Sequence, residues 1–364
     1  MRILSIDIGT GTQDILLYDS AGPIENSPKL VMPSPTKTAE RRIRAATSAG
    51  RAVALSGVTA GGGPCHWALN DHMRAGFPAY ATAGAARTFD DDLSKLEADG
   101  LTIVSDDELA GIDGEKIELR DLNVPAVMQA LDAFGAETSI DGLAVGVLDH
   151  GAAPPEVSDR IFRFQHIERV LGTTPDVRAF AYLPDDLPAY LTRAQCVLGS
   201  IDVDVPTVFM DNGPAAALGA LHDVEAAGVR CRFVLNAGNM HALGFVLNGT
   251  RIEAVFEHHT GEISSQRLAQ MVAELCAGSL TNDDVFNTKG HGALYVGAPP
   301  FDPEIIAVTG PQRRAVLAEL EAARAASPHG DMMISGCFGL LDGFAYRVPE
   351  AQEAVAQLHQ LASS

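Results

Sequence analysis

Three histidine-bearing strings stand where side chains can gather on a cleft, at the ends of apolar runs or in glycine turns. Asp149-His150 closes a buried run, Glu257-His258-His259 closes another, and His291 lies between Gly290 and Gly292. Imidazoles and carboxylates in that mixture suit a divalent metal or acid–base work. Asp149, His150, Glu257, His258 or His259, and His291 are the candidates, with hydrogen bonding inside tight turns as the plain structural alternative. Neighbouring residues on a strand face opposite ways, so His258 and His259 join one site only if the strand has ended. Gly61-Gly62-Gly63-Pro64 follows a strand without the Lys-Ser/Thr ending of a P-loop. It reads either as close backbone packing or as an anion site beside Cys65 and His66. Arg160, Arg163 and Arg169 fall near one another on an expected helix, as anion contacts or as solvated ion-pair partners. Asp90-Asp91-Asp92 reads as an exposed helix start and Met332-Met333 as core.

The elements that must position these residues alternate between strands and helices. RILSIDI and DILLYD are strands around the turn GTGTQ, followed by a polar stretch at 21–35 and a helix over 38–49. Strands are expected at 51–56, 101–104 and 142–148, and a helix over 156–171. The pattern restarts with a strand at 205–210 and a helix over 211–228 ending at Gly228. Three strand-like runs (RCRFVLN, GNMHALGFVL, RIEAVFEHH) come next, then helices at 264–277 and 312–326 around a strand at 305–308. This is an α/β chain of two units, 1–204 and 205–364, although a crossing segment near the C-terminus would blur that boundary.

Of 364 residues, 46% are hydrophobic and 20% charged, which excludes bulk disorder. With 26 Lys+Arg against 47 Asp+Glu the net charge is −21, unsuited to nucleic-acid or anionic-membrane surfaces. Five scattered cysteines exclude a zinc ribbon, a C-x-x-C pair and an iron–sulfur loop. Reduced thiols and an N-terminus that runs straight into a strand point to the cytoplasm.

Four motifs occur in order: Asp7-Ile8-Gly9-Thr10-Gly11-Thr12, then DNGPAAALGA at 211–220, then Leu235-Asn236-Ala237-Gly238-Asn239-Met240-His241, then Ile306-Ala307-Val308-Thr309-Gly310-Pro311-Gln312-Arg313. This succession resembles the actin-like ATPase superfamily of sugar kinases, heat-shock 70 proteins and actin. The resemblance implies two ribonuclease-H-like domains closing over ATP, with two phosphate loops, a connecting helix and an adenosine loop. On it, Gly9, Gly11, Gly238 and Gly310 bring backbone N–H groups to phosphate or ribose, and Thr10 and Thr12 add hydroxyls. Asn236, Asn239 and Arg313 complete the nucleotide contacts, and Asp7 holds Mg²⁺ through its waters. The family's second phosphate loop begins with Asp where this chain has Asn236, so Asp211 is the substitute metal ligand. The small residues Ala215, Ala216, Ala217 and Gly219 allow the connecting helix to pack closely, as a hinge needs. The strings LSGVTAGGGP, LDHGAAPPEVSDRIFRF, NAGNMHALGFVL and FEHHTG further resemble an uncharacterised family carrying the label of a pyruvate formate-lyase activating enzyme. The clustered cysteines of a radical activase are absent.

Three functions remain open. The first is an ATP-dependent kinase or ATPase acting on a small molecule, with Asp211 or Asp149 as general base. The second is a His/Asp/Glu-centred enzyme on the same fold, using His150, His259 and His291 with or without a divalent metal, and not turning over ATP. The third is a non-catalytic nucleotide sensor that activates a partner enzyme.

Overall fold

The computed structural model describes residues 1–223 and 229–361. Strands β1 (Arg2–Ile8), β2 (Thr12–Asp19) and β3 (Lys29–Pro33) form an antiparallel meander. After a helix at Pro35–Ser48 the chain builds a smaller sheet from β4 (Val53–Gly57), β5 (Ala79–Ala81), β6 (Leu101–Ile103) and β7 (Glu115–Leu119). All its pairings are parallel, in the order β6-β5-β4-β7, with its own core around Leu55, Leu69 and Ile117. The chain then returns as β8 (Gly142–Val147), β9 (Ala181–Tyr182) and β10 (Thr207–Asp211), completing a sheet ordered β3-β2-β1-β8-β10-β9.

The second half contains β11 (Cys231–Ala237), β12 (His241–Asn248), β13 (Arg251–His259), β14 (Gly292–Tyr295), β15 (Ile305–Thr309) and β16 (Ala323–Ala325). Its order is β14-β13-β12-β11-β15-β16. In each half a three-strand meander is extended by parallel strands on the side of its first strand. The series β3-β2-β1-β8-β10 therefore has its counterpart in β13-β12-β11-β15-β16. That duplication is the two-domain, ribonuclease-H-like architecture of the actin-like ATPases, as expected. No helix among the described residues is long and apolar enough to cross a membrane.

Several boundaries differ from the sequence reading. Strand β10, expected to open the second unit at 205, is hydrogen-bonded to β8 in the first sheet, so the chain passes to the second half after Asp211. The helix begun at Asn212 ends at Ala220; residues 224–228, including Gly228, lie outside the described residues. The helix expected over 312–326 stops at Leu317, because the following residues turn to place Ala323 beside Ile306 in β16. Strand β3 lies in the stretch read as polar coil.

The chain crosses back to the first half in a helix, Ser335–Arg347, that sequence patterning missed because Gly336, Gly339 and Gly343 are poor helix formers. They are there for space. A Cβ on Gly339 would run into the Ala215 carbonyl oxygen, and one on Gly219 would run into that of Ser335. The helices Asn212–Ala220 and Ser335–Arg347 thus meet backbone to backbone.

Gly339→Ala should therefore lower unfolding stability in urea by about 1–3 kcal/mol through overpacking. Gly172→Ala, in a helix where an added Cβ meets nothing within 4 Å, should be neutral or stabilising by up to about 1 kcal/mol.

Candidate functional site

A cleft between the halves is floored by two equivalent hairpin turns. Gly9 N–H donates to the Thr12 carbonyl (2.9 Å) and Gly238 N–H donates to that of His241 (3.0 Å). Gly310, at φ +92°, turns the chain beside them, where a Cβ would press on the Ala237 carbonyl. Asp7, Gly9, Thr10, Gly11, Thr12, Asn236, Gly238, Asn239 and Gly310 all line this cleft, as the motif order required. The Asn239 amide faces Gly11 across it and accepts a hydrogen bond from Gln312 (3.2 Å). Arg313 is not a lining residue: its guanidinium donates to the Gly310 carbonyl (3.1 Å) and braces the turn. Met332 and Met333, read as core, form part of the wall.

The sequence reading missed Asp14. In the β1–β2 register it lies directly opposite Asp7, so both carboxylates fall on one face and both line the cleft. Oδ1 of each is buried without a hydrogen-bond partner. Burial first, then the Asp14 charge, pushes Asp7 up to about 8, with the Asn212 amide partly offsetting them. Asp14 is pushed up to about 7, chiefly by burial, while the Thr12 hydroxyl opposes the rise. Two such carboxylates want a cation or a proton.

Asp211 does not join them. It caps the helix Asn212–Ala220 by accepting from Gly213 N–H (3.0 Å), and its other oxygen is ion-paired with Arg163. Arg163 is fully buried and also reaches Glu257 (3.1 Å). Burial opposes its charge, but Asp211 and Glu257 reverse that and hold the guanidinium firmly protonated. Arg160 donates to the Phe286 and Gly290 carbonyls, and Arg169 stacks over Tyr190. The three arginines are therefore structural rather than an anion cluster. Asp149 is similarly committed, accepting from Gly151 N–H (2.8 Å) and Ala194 N–H (2.9 Å), although burial raises its pKa. Neither Asp211, assigned a metal and a proton, nor Asp149 is free to act as a general base.

Beyond Thr10 and Met240 the cleft opens into a second cavity of about 780 Å³. Its wall includes Gly61–Gly63, His66, Asp90–Asp92, Lys95, Asp149, His150 and His241. The glycine loop is closely packed, since a Cβ on Gly62 would meet the Thr88 carbonyl, and it also borders this cavity. Cys65 is buried, and burial pushes its thiol up to about 11, so it is no nucleophile. His150, His259 and His291 do approach one another, gathered around His241, which was not among the expected histidines. Ring centroids lie 5.1 Å apart for His150–His241, 4.9 Å for His241–His291 and 4.5 Å for His259–His291. His258 turns away, bonded to the His259 carbonyl and the Thr288 hydroxyl. Burial lowers His291 to about 3 and His259 to about 4, so both are neutral near pH 7.

The family model described as "Putative pyruvate format-lyase activating enzyme (DUF1786)" matches residues 60–315. The chain belongs to this family. No curated protein matches the sequence. Among solved structures, a ROK hexokinase from Thermus thermophilus is similar at 12% identity and TM-score 0.35, covering 96% of this chain and 100% of that one. The activator of 2-hydroxyisocaproyl-CoA dehydratase from Clostridium difficile with bound ADPNP is similar at 10% identity and TM-score 0.35, with 98% of each chain covered. A ROK glucokinase from Streptomyces griseus in complex with glucose and AMPPNP gives 12% identity and TM-score 0.32, over 94% of this chain and 98% of that one. All five cysteines are free thiols, and no metal-competent group among the described residues contains one.

The carboxylate pair sets a pH dependence. Folding raises both pKa values above 3.8, so the folded chain binds more protons and its stability declines as pH rises through about 7 and 8. In metal-free buffer the wild-type melting temperature should fall between pH 6 and pH 9. Asp14→Asn should flatten that fall and raise the melting temperature at pH 8; an unchanged slope would contradict the pairing.

Proposed function

We propose that this chain binds Mg-ATP between its halves and directs its terminal phosphate toward a small molecule, or water, in the adjoining cavity. One observation carries the reading. Two matching glycine turns, one from each half, converge on a cleft whose two buried carboxylates have oxygens without partners. The N–H groups of Gly9 and Gly238 close the turns themselves, so the residues at the turn tips would offer backbone N–H groups to an anion, and Asp7 and Asp14 present charge to a hydrated cation. Asp14 supplies the second carboxylate that Asn236 does not. When bound, Mg²⁺ would neutralise phosphate charge, the main requirement of phosphoryl transfer.

This chain's own residues account for binding and positioning. Thr10 and Thr12 offer hydroxyls beside the first turn, and Asn239 closes over Gly11 from the second. Gly310 and Pro311 with Met332 and Met333 provide a largely apolar wall for a nucleoside. The cleft is tight, about 140 Å³, against roughly 300–1,000 Å³ for ordinary ligand sites. The halves must therefore part to admit a nucleotide, and the backbone contact between Asn212–Ala220 and Ser335–Arg347 is the natural pivot.

Calorimetric titration with Mg-ATP tests this. Wild-type protein should bind, and Asp7→Asn, which keeps shape and removes charge, should weaken binding at least about tenfold, or ~1.4 kcal/mol. The same substitution should leave metal-free stability near pH 8 unchanged or higher. Absence of heat and of thermal shift at millimolar Mg-ATP would refute the reading.

A further inference from the structure

His150, His241 and His291 come from three separate places: the segment after β8, the first residue of β12 and the residue before β14. One ring nitrogen from each lies within 4.8 Å of the others. His291 is only 1% exposed, yet neither of its ring nitrogens has a hydrogen-bond partner. Leaving such a group unsatisfied is costly, so an unpaired imidazole aimed at two others calls for a ligand.

The surroundings favour a cation. His241 Nδ1 lies 2.9 Å from the Glu257 carboxylate, which fixes the ring and leaves Nε2 as the outward donor. A carboxylate behind a histidine in this way orients it and makes it a better metal ligand. Glu257 and Asp211 together carry two negative charges against the one positive charge of Arg163, so the pocket beneath the rings is net negative.

We propose that His150, His241 and His291 form a binding site for a divalent first-row transition metal of the Zn²⁺ type, with a coordination position open to the second cavity. Three imidazole nitrogens and an open position suit such an ion better than Mg²⁺, which prefers oxygen. Zn–N bonds of about 2.0–2.1 Å put tetrahedral ligand atoms about 3.3 Å apart, so the rings need draw in only modestly from where they stand. His150 and His241 both border the second cavity, and His241 also borders the nucleotide cleft. An ion there would present its open position to an oxygen-bearing group, phosphoryl or carboxylate, of a ligand in that cavity. His259 flanks His291 but lies outside the three-nitrogen group. The other histidine group, His222, Asp342 and His359, is already joined by hydrogen bonds of 2.7 and 3.0 Å to the two Asp342 oxygens.

The test uses untagged full-length protein, stripped with chelator and then titrated with ZnCl₂ or CoCl₂ in the absence of nucleotide. Wild type should bind one Zn²⁺ per chain, and Co²⁺ should give the visible absorption of a low-coordinate, nitrogen-rich site. His150→Ala and His291→Ala should each weaken Zn²⁺ binding by about 100-fold or more, whereas His259→Ala should keep the stoichiometry. Circular dichroism establishes that each variant is folded. Absence of Zn²⁺ binding by wild type at micromolar metal overturns the proposal whatever the variants do. A six-coordinate Co²⁺ spectrum also overturns it, as does undiminished Zn²⁺ binding in both folded variants, which would place the ion elsewhere. The outcome is independent of Mg-ATP binding, since no nucleotide is present.

Discussion

One buried guanidinium ties the site to both halves of the molecule. Arg163 extends from the helix Asp159–Thr173, is ion-paired with Asp211 at the end of β10 in the first sheet, and meets Glu257 on β13 in the second. It also donates to the Asp149 carbonyl. A charge buried this deeply is tolerable only with both carboxylates in place, so its partners are held to one geometry. Glu257 in turn fixes His241, and Asp211 caps the helix that faces Ser335–Arg347. Burial would raise the Glu257 pKa, but Arg163 and the neighbouring histidines drive it well below the carboxylate range. Asp211, offered as a substitute metal ligand, and Arg163, read as either an anion contact or an ion-pair partner, are paired with each other and clamp the two sheets together.

The carboxylates at the floor of the cleft follow the opposite logic. Among the described residues Asp7 Oδ1 and Asp14 Oδ1 have no hydrogen-bond partner, and their cross-strand register forces the two carboxylates together. The protein therefore maintains a local instability that a bound cation would relieve, a common condition at sites that bind charge. Asn236 makes sense in this setting, because a third acid would add repulsion to a pair already pushed up by burial. The tight cleft and the backbone contact of its two glycine-bearing helices go together, because small residues bring the halves close.

Much of this was legible in the residues. The motif order located both turns and Gly310, and the strand runs RIEAVFEHH and RCRFVLN fell within a residue of their observed limits. What escaped was long-range. Asp14 could have been found by counting outward from the GTGT turn, since a tight hairpin there sets residue 7 opposite residue 14. The pairing of Arg163 with residues 48 and 94 positions away leaves no local trace. The helix Ser335–Arg347 was hidden because its glycines serve a contact with another helix rather than its own propensity. His241 sat in plain view inside a phosphate-loop motif, and only the fold shows that β12 delivers it to His150 and His291.

The proposed function requires the nucleotide's phosphates and a cation to meet between the two hairpin turns. A crystal structure with Mg²⁺ and a non-hydrolysable ATP analogue tests this most directly. Phosphate oxygens should lie within hydrogen-bond reach of the Gly9–Thr12 and Gly238–His241 backbones, with a hydrated cation on the side of Asp7 and Asp14. A nucleotide bound elsewhere on the chain, or a cleft that stays empty at millimolar analogue, would contradict it.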